Sequence, residues 1–439
     1  MDATEIQKST TTKLKRIAWL SSKDPTKRFG TLIHHFNEES LRICFNELQA
    51  KKARGSDGVD KVQYGENLDE NLRVLVQRMK TMSYRMGPVR QVQIPKDYGK
   101  GVRELGISNF EDKIIQKMTH KILESIYDPL FLECSYGFRP GRGCHDAIRA
   151  LYEHLYKNEV EVVIDVDIAN FFGTISHEKL KELLQTKITD QKFMRYISRM
   201  FRTGVLVDGD LAVSEEGVVQ GSLCSPVLSN IYAHEVIDSW IEKVVKGHCK
   251  GRVEMFRYCD DMVICCQYQS DAERVKEALN KRLAKFSLAL NQEKTRLVQF
   301  SKAKARQNIK QEAFDFLGFT FYLGKSQRGI LIPKVKTNGT RLRNKLKKVS
   351  LWARKVRNKA PLKEIWKAFG QKLEGHIQYY GVSSNTKSVQ NFRDKTIRIM
   401  FKWLNRRSQR KSFGWEKFEL FMSRHPAPKA RICHVLFRN

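Results

Sequence analysis

Three aspartates lie beside short apolar segments, where the end of a β-strand could hold a carboxylate in place: Asp167, Asp260 and Asp261. Asp167 falls near the end of VVIDVDI (162–168), and the other two separate the apolar halves of RVEMFRYCDDMVICCQ (252–267). Converging carboxylates would repel one another unless a divalent cation neutralised them. Mg²⁺ prefers such oxygen ligands, and two Mg²⁺ ions about 4 Å apart can activate a 3′-hydroxyl and stabilise a leaving pyrophosphate. The pattern therefore favours a nucleotidyl-transfer site.

Spacing alone leaves two alternatives open. An Asp-Asp pair in a hairpin is more often part of the turn than of an active site. Asp165 also competes with Asp167 as the first carboxylate, because alternate residues of a strand face the same way.

The elements that would position these residues can be read from the hydrophobic pattern. A buried strand is predicted over 159–168 and a hairpin over 252–267. Segment 313–322 is predicted to form a strand pair or one bent strand, and beyond Lys334 the pattern becomes helical. We therefore expect a mixed α and β region followed by a helical one.

Three helix starts carry capping signals. Asn109 and Ser176 each precede an amphipathic stretch. Ser270 and Glu273 have the spacing of a capping box for the helix that follows the hairpin.

Positive charge is concentrated at the C-terminal end. The chain has 439 residues and a formal net charge of +32. Residues 331–439 hold 28 Lys and Arg against five Asp and Glu, which is +23 of that total. Because aromatic residues interleave this charge, a nucleic-acid partner is predicted for the C-terminal part.

Other classes of protein are disfavoured. No apolar run approaches the roughly 18 residues of a membrane helix, and the first 20 residues lack a secretory signal. The nine cysteines are odd in number and form no C-x-x-C pair, which favours reduced thiols and argues against a zinc site. We therefore expect a cytoplasmic protein without a membrane partner.

An ordered set of blocks resembles the reverse transcriptases encoded by group II introns. YCDD (258–261) resembles the Y-x-D-D box of reverse transcriptases in general. Blocks similar to the intron-encoded branch are RGSDGVD (54–60), IPKDYGKGVRELGISNFEDKIIQ (94–116), ECSYGFRPGRGCHDAI (133–148), VIDVDIANFFGTISHEKL (163–180), VVQGSLCSPVLSNIY (218–232), LALNQEKTRLV (288–298), FDFLGFTF (314–321), HIQYYG (376–381) and FKWLNRRSQRKSFGWEKF (401–418). The order of the blocks is far more specific than any one of them.

The resemblance implies roles for individual residues. It selects Asp167, Asp260 and Asp261 as the metal ligands, with two Mg²⁺ ions as cofactor and Mn²⁺ able to substitute. Residues implied to bind the incoming nucleotide are Lys96, Arg103, Phe171, Phe172 and Gln220. Of these, Lys96 and Arg103 would hold the triphosphate, and one of the two phenylalanines would block a ribose 2′-hydroxyl. Residues expected to contact nucleic acid are Arg139, Lys294, Arg406, Arg407 and Arg410, although Arg139 is equally compatible with a structural ion pair.

The fold implied is an α+β right-hand polymerase fold. Residues 1–53 would form an N-terminal extension and 54–325 the fingers and a palm with a small antiparallel sheet. Residues 326–439 would form a basic helical thumb and the maturase region called domain X. The short sequence after residue 418 implies a form without a C-terminal endonuclease domain.

The function implied is RNA-directed DNA synthesis from dNTPs on an RNA template with a DNA primer or target. The resemblance further implies that the protein binds its intron RNA, assists splicing and copies the intron during mobility. Two alternatives stay open. One is a free-standing reverse transcriptase in defence or repair, and the other is an RNA-binding splicing cofactor without a polymerase role.

Overall fold

Helices and small sheets are mixed over most of the chain, and helices predominate toward its end. The structure is a computed structural model that describes residues 3–95, 101–207, 210–407 and 414–437. Its helices are α1 (Ala3–Lys23), α2 (Glu38–Glu47), α3 (Lys61–Gly65), α4 (Leu68–Lys80), α5 (Phe110–Tyr127), α6 (Cys144–Lys157), α7 (His177–Gln185), α8 (Gln191–Phe201), α9 (Ser225–Ala233), α10 (Lys246–His248), α11 (Gln269–Ala284), α12 (Lys302–Arg306), α13 (Gly339–Val356), α14 (Leu362–Tyr380), α15 (Thr386–Leu404) and α16 (Trp415–Arg424). Its strands are β1 (Val89–Pro95), β2 (Val102–Ile107), β3 (Val162–Val166), β4 (Val205–Val207), β5 (Asp210–Ala212), β6 (Val253–Tyr258), β7 (Asp261–Cys266), β8 (Arg296–Gln299), β9 (Phe314–Phe316), β10 (Phe319–Lys325) and β11 (Leu331–Thr337).

The central sheet has the strand order β6-β7-β3-β8 and is antiparallel throughout. Successive side chains of a strand point to opposite faces, and both faces of this sheet are buried. Val162 and Ile164 enter one hydrophobic core, while Val163 and Val263 enter another. The strand predicted over 159–168 and the hairpin predicted over 252–267 are confirmed, although β3 is shorter than its prediction.

The two cores divide the helices between the faces of the central sheet. The first core contains buried residues of α1, α2, α4, α5, α7, α8, α9 and α11. The second contains residues of α6, of β9 to β11 and of the C-terminal helices α13 to α16. The basic C-terminal helices therefore share the core on one face of the central sheet with α6.

Two further sheets flank the central one. The first has the order β2-β1-β4-β5, and the second has the order β11-β10-β9. Strand β11 pairs with β10 over its whole length, from Leu331 opposite Lys325 to Thr337 opposite Phe319. The boundary expected between 325 and 326 thus falls between two strands of one sheet, and the helical region begins only at Gly339.

Two of the three helix starts follow the sequence pattern. Ser176 caps α7 by accepting from the Lys179 amide. Helix α5 begins directly after Asn109 as predicted, but the Asn109 side chain makes no capping hydrogen bond. The capping box predicted for Ser270 and Glu273 is wrong, because α11 begins one residue before Ser270.

A long-range contact explains the different start of α11. The backbone N–H of Gln269 donates to the Glu161 carboxylate at 2.9 Å. Glu161 comes from the residues just before β3, so an acidic side chain from a different segment satisfies the helix start.

Among the residues described, no helix is long and apolar enough to cross a membrane. All nine cysteines are free thiols.

Candidate active site

Asp167 directly follows β3 and is tied to the segment before β8. Its carbonyl oxygen accepts from the Asn291 amide at 2.8 Å, and its amide donates to Thr295 Oγ1 at 3.2 Å. Its carboxylate faces Lys294, with Nζ 3.1 Å from Oδ2. The Asp167 side chain remains 40% exposed, so it is held by its backbone and is still open to solvent.

Asp260 and Asp261 lie at the turn between β6 and β7. Tyr258 pairs with Asp261, so the loop has only two residues, Cys259 and Asp260. Cys259 adopts the left-handed conformation, with φ of +62°, which is uncommon for a residue other than glycine. Asp260 is exposed and Asp261 is partly buried. A tight, strained turn therefore presents two adjacent carboxylates.

The strand register brings the two strand ends to the same edge of the sheet. Val166, the last residue of β3, pairs with Met262 of β7. Asp167 and Asp261 are the next residues outward on the two strands, so both lie at this edge together with Asp260. We call these three aspartates the carboxylate edge.

Burial and mutual repulsion disfavour negative charge here. Burial raises the pKa of Asp261 to about 7, and the charges of Asp260 and Asp165 contribute to the rise. Burial likewise raises the pKa of Asp165, although Arg296 opposes the rise by donating to its carboxylate at 3.1 Å. An added cation at this edge would relieve the repulsion.

The carboxylate edge fits a divalent cation in donor type but not as a closed ligand set. Carboxylate oxygens are the ligands that Mg²⁺ prefers, and Mg²⁺ usually completes its shell with water and substrate phosphates. Within residues 3–95, 101–207, 210–407 and 414–437, no three His, Cys, Asp or Glu side chains are grouped closely enough to hold a metal ion. The Asp167 carboxylate is instead paired with Lys294.

The loop that contains Gln220 contacts the sheet β2-β1-β4-β5 at β2. Arg103 is exposed on β2, opposite Ile94 of β1. The Gly106 amide, also on β2, donates to the Gln220 carbonyl at 2.7 Å. Lys96, the other residue predicted to hold the triphosphate, lies outside the described residues.

Glycine is required where this loop meets β2. Gly221 has φ of +110°, and a Cβ there would lie 2.5 Å from the Gly106 carbonyl oxygen. The backbones therefore approach more closely than any side chain would allow.

Phe171 and Phe172 occupy a short 3₁₀ turn after Asp167 and have different environments. Phe171 is 3% exposed and belongs to the first core. Phe172 is only partly buried, and its ring meets that of Phe171 edge-on at 5.5 Å. The Val218 amide donates to the Phe172 carbonyl at 2.8 Å, so Phe172 is tied to the loop that contains Gln220.

Arg139 has little capacity left to bind a template phosphate. Its guanidinium donates to the Asp128 carboxylate at 2.7 Å and to the carbonyls of Asp128, Leu132 and Ser135. The side chain is 6% exposed. These contacts favour the structural ion pair that the sequence left open.

Some of the C-terminal cations cluster around the ring of Trp403. Four cationic groups lie 5.3–5.9 Å from the ring centre of Trp403. We call them the Trp403 cations: Arg354, Arg357, Lys402 and Arg406. No ion pair between described residues uses any of them. Arg407 instead donates to the Ala360 carbonyl, and Arg410 lies outside the described residues.

One exposed aromatic near the turn was missed by the sequence analysis. Phe138 is 51% exposed and has a left-handed backbone, with φ of +55°. Its ring centre lies 6.5 Å from that of Tyr258, beside the carboxylate edge. Its block was recognised, but only the fold reveals that this ring faces solvent at the site.

Comparison with known proteins places this site in a family. Residues 94–321, just over half of the chain, match the model of the reverse transcriptase (RNA-dependent DNA polymerase) family. The chain therefore belongs to the reverse transcriptase family. Family membership implies the palm and fingers fold of polymerases, and the matched region contains the whole central sheet β6-β7-β3-β8.

The relatives include two proteins named after introns and one bacterial protein without an intron in its name. The chain is 26% identical to the group II intron-encoded protein LtrA of Lactococcus lactis subsp. cremoris, over 86% of this chain and 75% of LtrA. It is 28% identical to the protein YkfC of Escherichia coli K12, over 72% of this chain and 89% of YkfC. It is 33% identical to an uncharacterized 91 kDa protein in the cob intron of Schizosaccharomyces pombe, over 47% of this chain and only 25% of that protein.

Proposed function

We propose that this chain copies RNA into DNA at the carboxylate edge by a divalent-metal mechanism. The observation that carries the proposal is the pairing register of β3 and β7. It puts the end of β3 and the start of β7 at the same sheet edge, so that Asp167, Asp260 and Asp261 all lie there. Family membership supports the reaction, and the donor chemistry of the edge supports the metal.

Asp167, Asp260 and Asp261 would hold the cation, which when bound supplies charge neutralisation to the attacking hydroxyl and the leaving pyrophosphate. Asp261 must lose its proton to act as a ligand, and its raised pKa of about 7 means that the free protein keeps much of that proton near neutrality. Lys294 must release the Asp167 carboxylate. An exposed pair of this kind contributes little, so the release costs only about 1 kcal/mol or less.

The nucleotide would lie between the sheet β2-β1-β4-β5, acting as the fingers, and the central sheet, acting as the palm. Arg103 is exposed on β2 and would neutralise the triphosphate, together with Lys96. The partly buried Phe172 would face the sugar, while Phe171 would stay in the core. The loop that contains Gln220 would support the base pair, since it contacts both β2 and Phe172.

The two candidate first carboxylates give a matched test. Asp167→Asn should abolish primer extension on poly(rA)/oligo(dT), because Asp167 is at the edge. Asp165→Asn should retain extension, because Asp165 lies within β3 and pairs with Arg296. The reverse result would move the ligand to Asp165. Full activity in both variants would mean that neither Asp165 nor Asp167 takes part in the reaction.

We also propose that the C-terminal part, residues 326–439, forms the thumb and domain X and binds intron RNA. The names of the relatives support an intron partner. The charge of +23 over residues 331–439 supports a polyanion partner. The Trp403 cations, which make no ion pair with another described residue, would offer phosphate groups a binding surface. This assignment would make the protein a splicing assistant as well as a polymerase.

The intron assignment is tested with the RNA that surrounds the reading frame. A transcript of the gene with its flanks should splice faster at low Mg²⁺ when the protein is added. If the Asp260→Asn variant accelerates splicing as well as the wild type, the two activities are separable. If no flanking RNA splices while extension is intact, the free-standing polymerase is favoured. Splicing assistance without wild-type extension would favour the splicing cofactor.

A further inference from the structure

A fully buried arginine lies directly behind the carboxylate edge. Arg257 is the residue before Tyr258 on β6, and none of its surface is exposed. Its guanidinium grips the Asp238 carboxylate with two hydrogen bonds, from Nε at 2.7 Å and from a terminal nitrogen at 2.6 Å. The other N–H groups donate to Asn230 Oδ1 at 3.0 Å, to Ser135 Oγ at 2.8 Å and to the Cys259 carbonyl at 3.0 Å. All five donors of the guanidinium are satisfied.

A buried ion pair of this kind calls for an explanation. Well-packed apolar residues often give equal or greater stability than a buried pair, because both charges must leave water. The Arg257–Asp238 pair is therefore better explained by a role in fixing the position of nearby backbone than by a gain in stability. Its partners come from three separate segments of the chain, and two of them, Asn230 and Asp238, lie on the helical stretch that begins with α9. Asp238 ends a π-helical turn, a feature common near functional sites.

This positioning role is visible at the turn. Cys259 holds a left-handed backbone that disfavours a side chain, and Arg257 holds its carbonyl. On the other side of the turn, a Cβ at Gly137 would lie 2.6 Å from the Cys259 nitrogen. Asn230 connects the two sides, because it accepts from Arg257 and donates to the Gly137 carbonyl at 2.6 Å. Arg257 therefore restrains the turn at the Cys259 carbonyl, and Gly137 packs against it at the Cys259 amide. We call this arrangement the clamp.

We propose that Arg257, Asp238 and Asn230 are positioning residues, which hold the Cys259–Asp260 turn in the strained form that presents Asp260 and Asp261. The catalytic consequence rests on the proposed function, whereas the conformational consequence does not. Errors of about 1 Å in a catalytic group can lower a rate about a hundredfold, so a relaxed turn should be costly to catalysis.

Asn230→Ala is the variant that opens the clamp while leaving the ion pair in place. The matched control is Ser229→Ala at the neighbouring position of α9. It removes a buried hydroxyl whose one hydrogen bond among the described residues goes to the Ser225 carbonyl. The readout that needs no substrate or metal is alkylation of thiols by N-ethylmaleimide. Cys259 and Cys265 lie on one tryptic peptide between Arg257 and Arg274, so a single peptide reports both.

In the wild type both thiols should be protected, because both are buried away from the reagent. In Asn230→Ala, alkylation of Cys259 should rise about tenfold while that of Cys265 stays unchanged, since only the turn has opened. Single-turnover incorporation at saturating dNTP should fall about a hundredfold, with KM for dNTP and template affinity near wild type. Ser229→Ala should resemble the wild type in every measurement.

Three outcomes overturn the proposal. One is protection of Cys259 in Asn230→Ala. Another is equal opening of Cys259 and Cys265, which would mean that the cluster supports the fold as a whole. The third is an intact incorporation rate in an active enzyme whose Cys259 has become reactive. If Asn230→Ala does not fold, Ser135→Ala removes one acceptor of Arg257 and must raise Cys259 alkylation selectively, or the proposal fails. A wild type without polymerase activity would refute the proposed function and leave the alkylation test valid.

Discussion

In the proposed mechanism, sugar selection would depend on which of two adjacent phenylalanines meets the nucleotide, and the two have different environments in the structure. Phe171 is 3% exposed within the first core, whereas Phe172 is partly buried and tied through its carbonyl to the loop that contains Gln220. We predict that Phe172→Ala admits ribonucleotides and that Phe171→Ala does not. The two substitutions remove the same atoms one residue apart, so each is the control for the other.

The magnitudes follow from the two environments. Burial of Phe171 predicts that its truncation lowers the free energy of unfolding by about 3–5 kcal/mol, through lost packing and a residual cavity. Phe172 is partly exposed already, so its truncation should cost less than that. A pocket distinguishes substrates that differ by one small group by roughly 10–200-fold. Truncation of Phe172 should therefore lower the preference for dNTP over rNTP by a factor in that range.

The assay compares incorporation of a single dNTP or rNTP on an RNA template, with urea unfolding of the same preparations. Phe172→Ala should show altered selectivity with modest destabilisation. Phe171→Ala should show unchanged selectivity with strong destabilisation. Altered selectivity in Phe171→Ala alone would refute the reasoning. Unchanged selectivity in both variants would place the sugar contact elsewhere.

Two further predictions concern charge. Changing Arg354, Arg357 and Arg406 to Gln should flatten the plot of log K for RNA against log salt by about two units, because each phosphate contact contributes about 0.7–0.9; an unchanged slope would mean that these side chains do not touch RNA. Burial raises the pKa of Asp112 to about 6, so the folded protein holds that proton more tightly than the unfolded chain does. The contribution of Asp112 to the free energy of unfolding should therefore fall as pH rises from about 4 to about 6. Asp112→Asn should remove this contribution, which amounts to up to about 1.4 kcal/mol per pH unit. The same pH dependence of the urea-derived free energy of unfolding in both proteins would contradict it.

Local patterns predicted the elements that carry the site. Two apolar runs around the Asp pair in 252–267 were sufficient to predict the β6–β7 hairpin, and the β-rich apolar run over 159–168 was sufficient to predict β3. The placement of Asp260 and Asp261 at a turn followed from the same pattern.

Contacts between distant segments were out of reach of local patterns. The Ser270 box failed because Glu161, far away in sequence, supplies the contact at the start of α11. Lys294 pairs with Asp167, and nothing in its local sequence indicates that pairing; its contact with nucleic acid stays a prediction. The five acceptors around Arg257 likewise converge only in three dimensions.

The central claim is that the carboxylate edge performs RNA-templated DNA synthesis, and Asp260→Asn tests it most directly. Asp69→Asn is a matched control, because its carboxylate is 84% exposed and lies on α4. The measurement is incorporation of one dNTP on an RNA template with Mg²⁺, together with the affinity for that template. The account predicts that Asp260→Asn loses at least about a hundredfold in rate and keeps its affinity, while Asp69→Asn equals the wild type. Incorporation by Asp260→Asn within a few-fold of the wild type would contradict it.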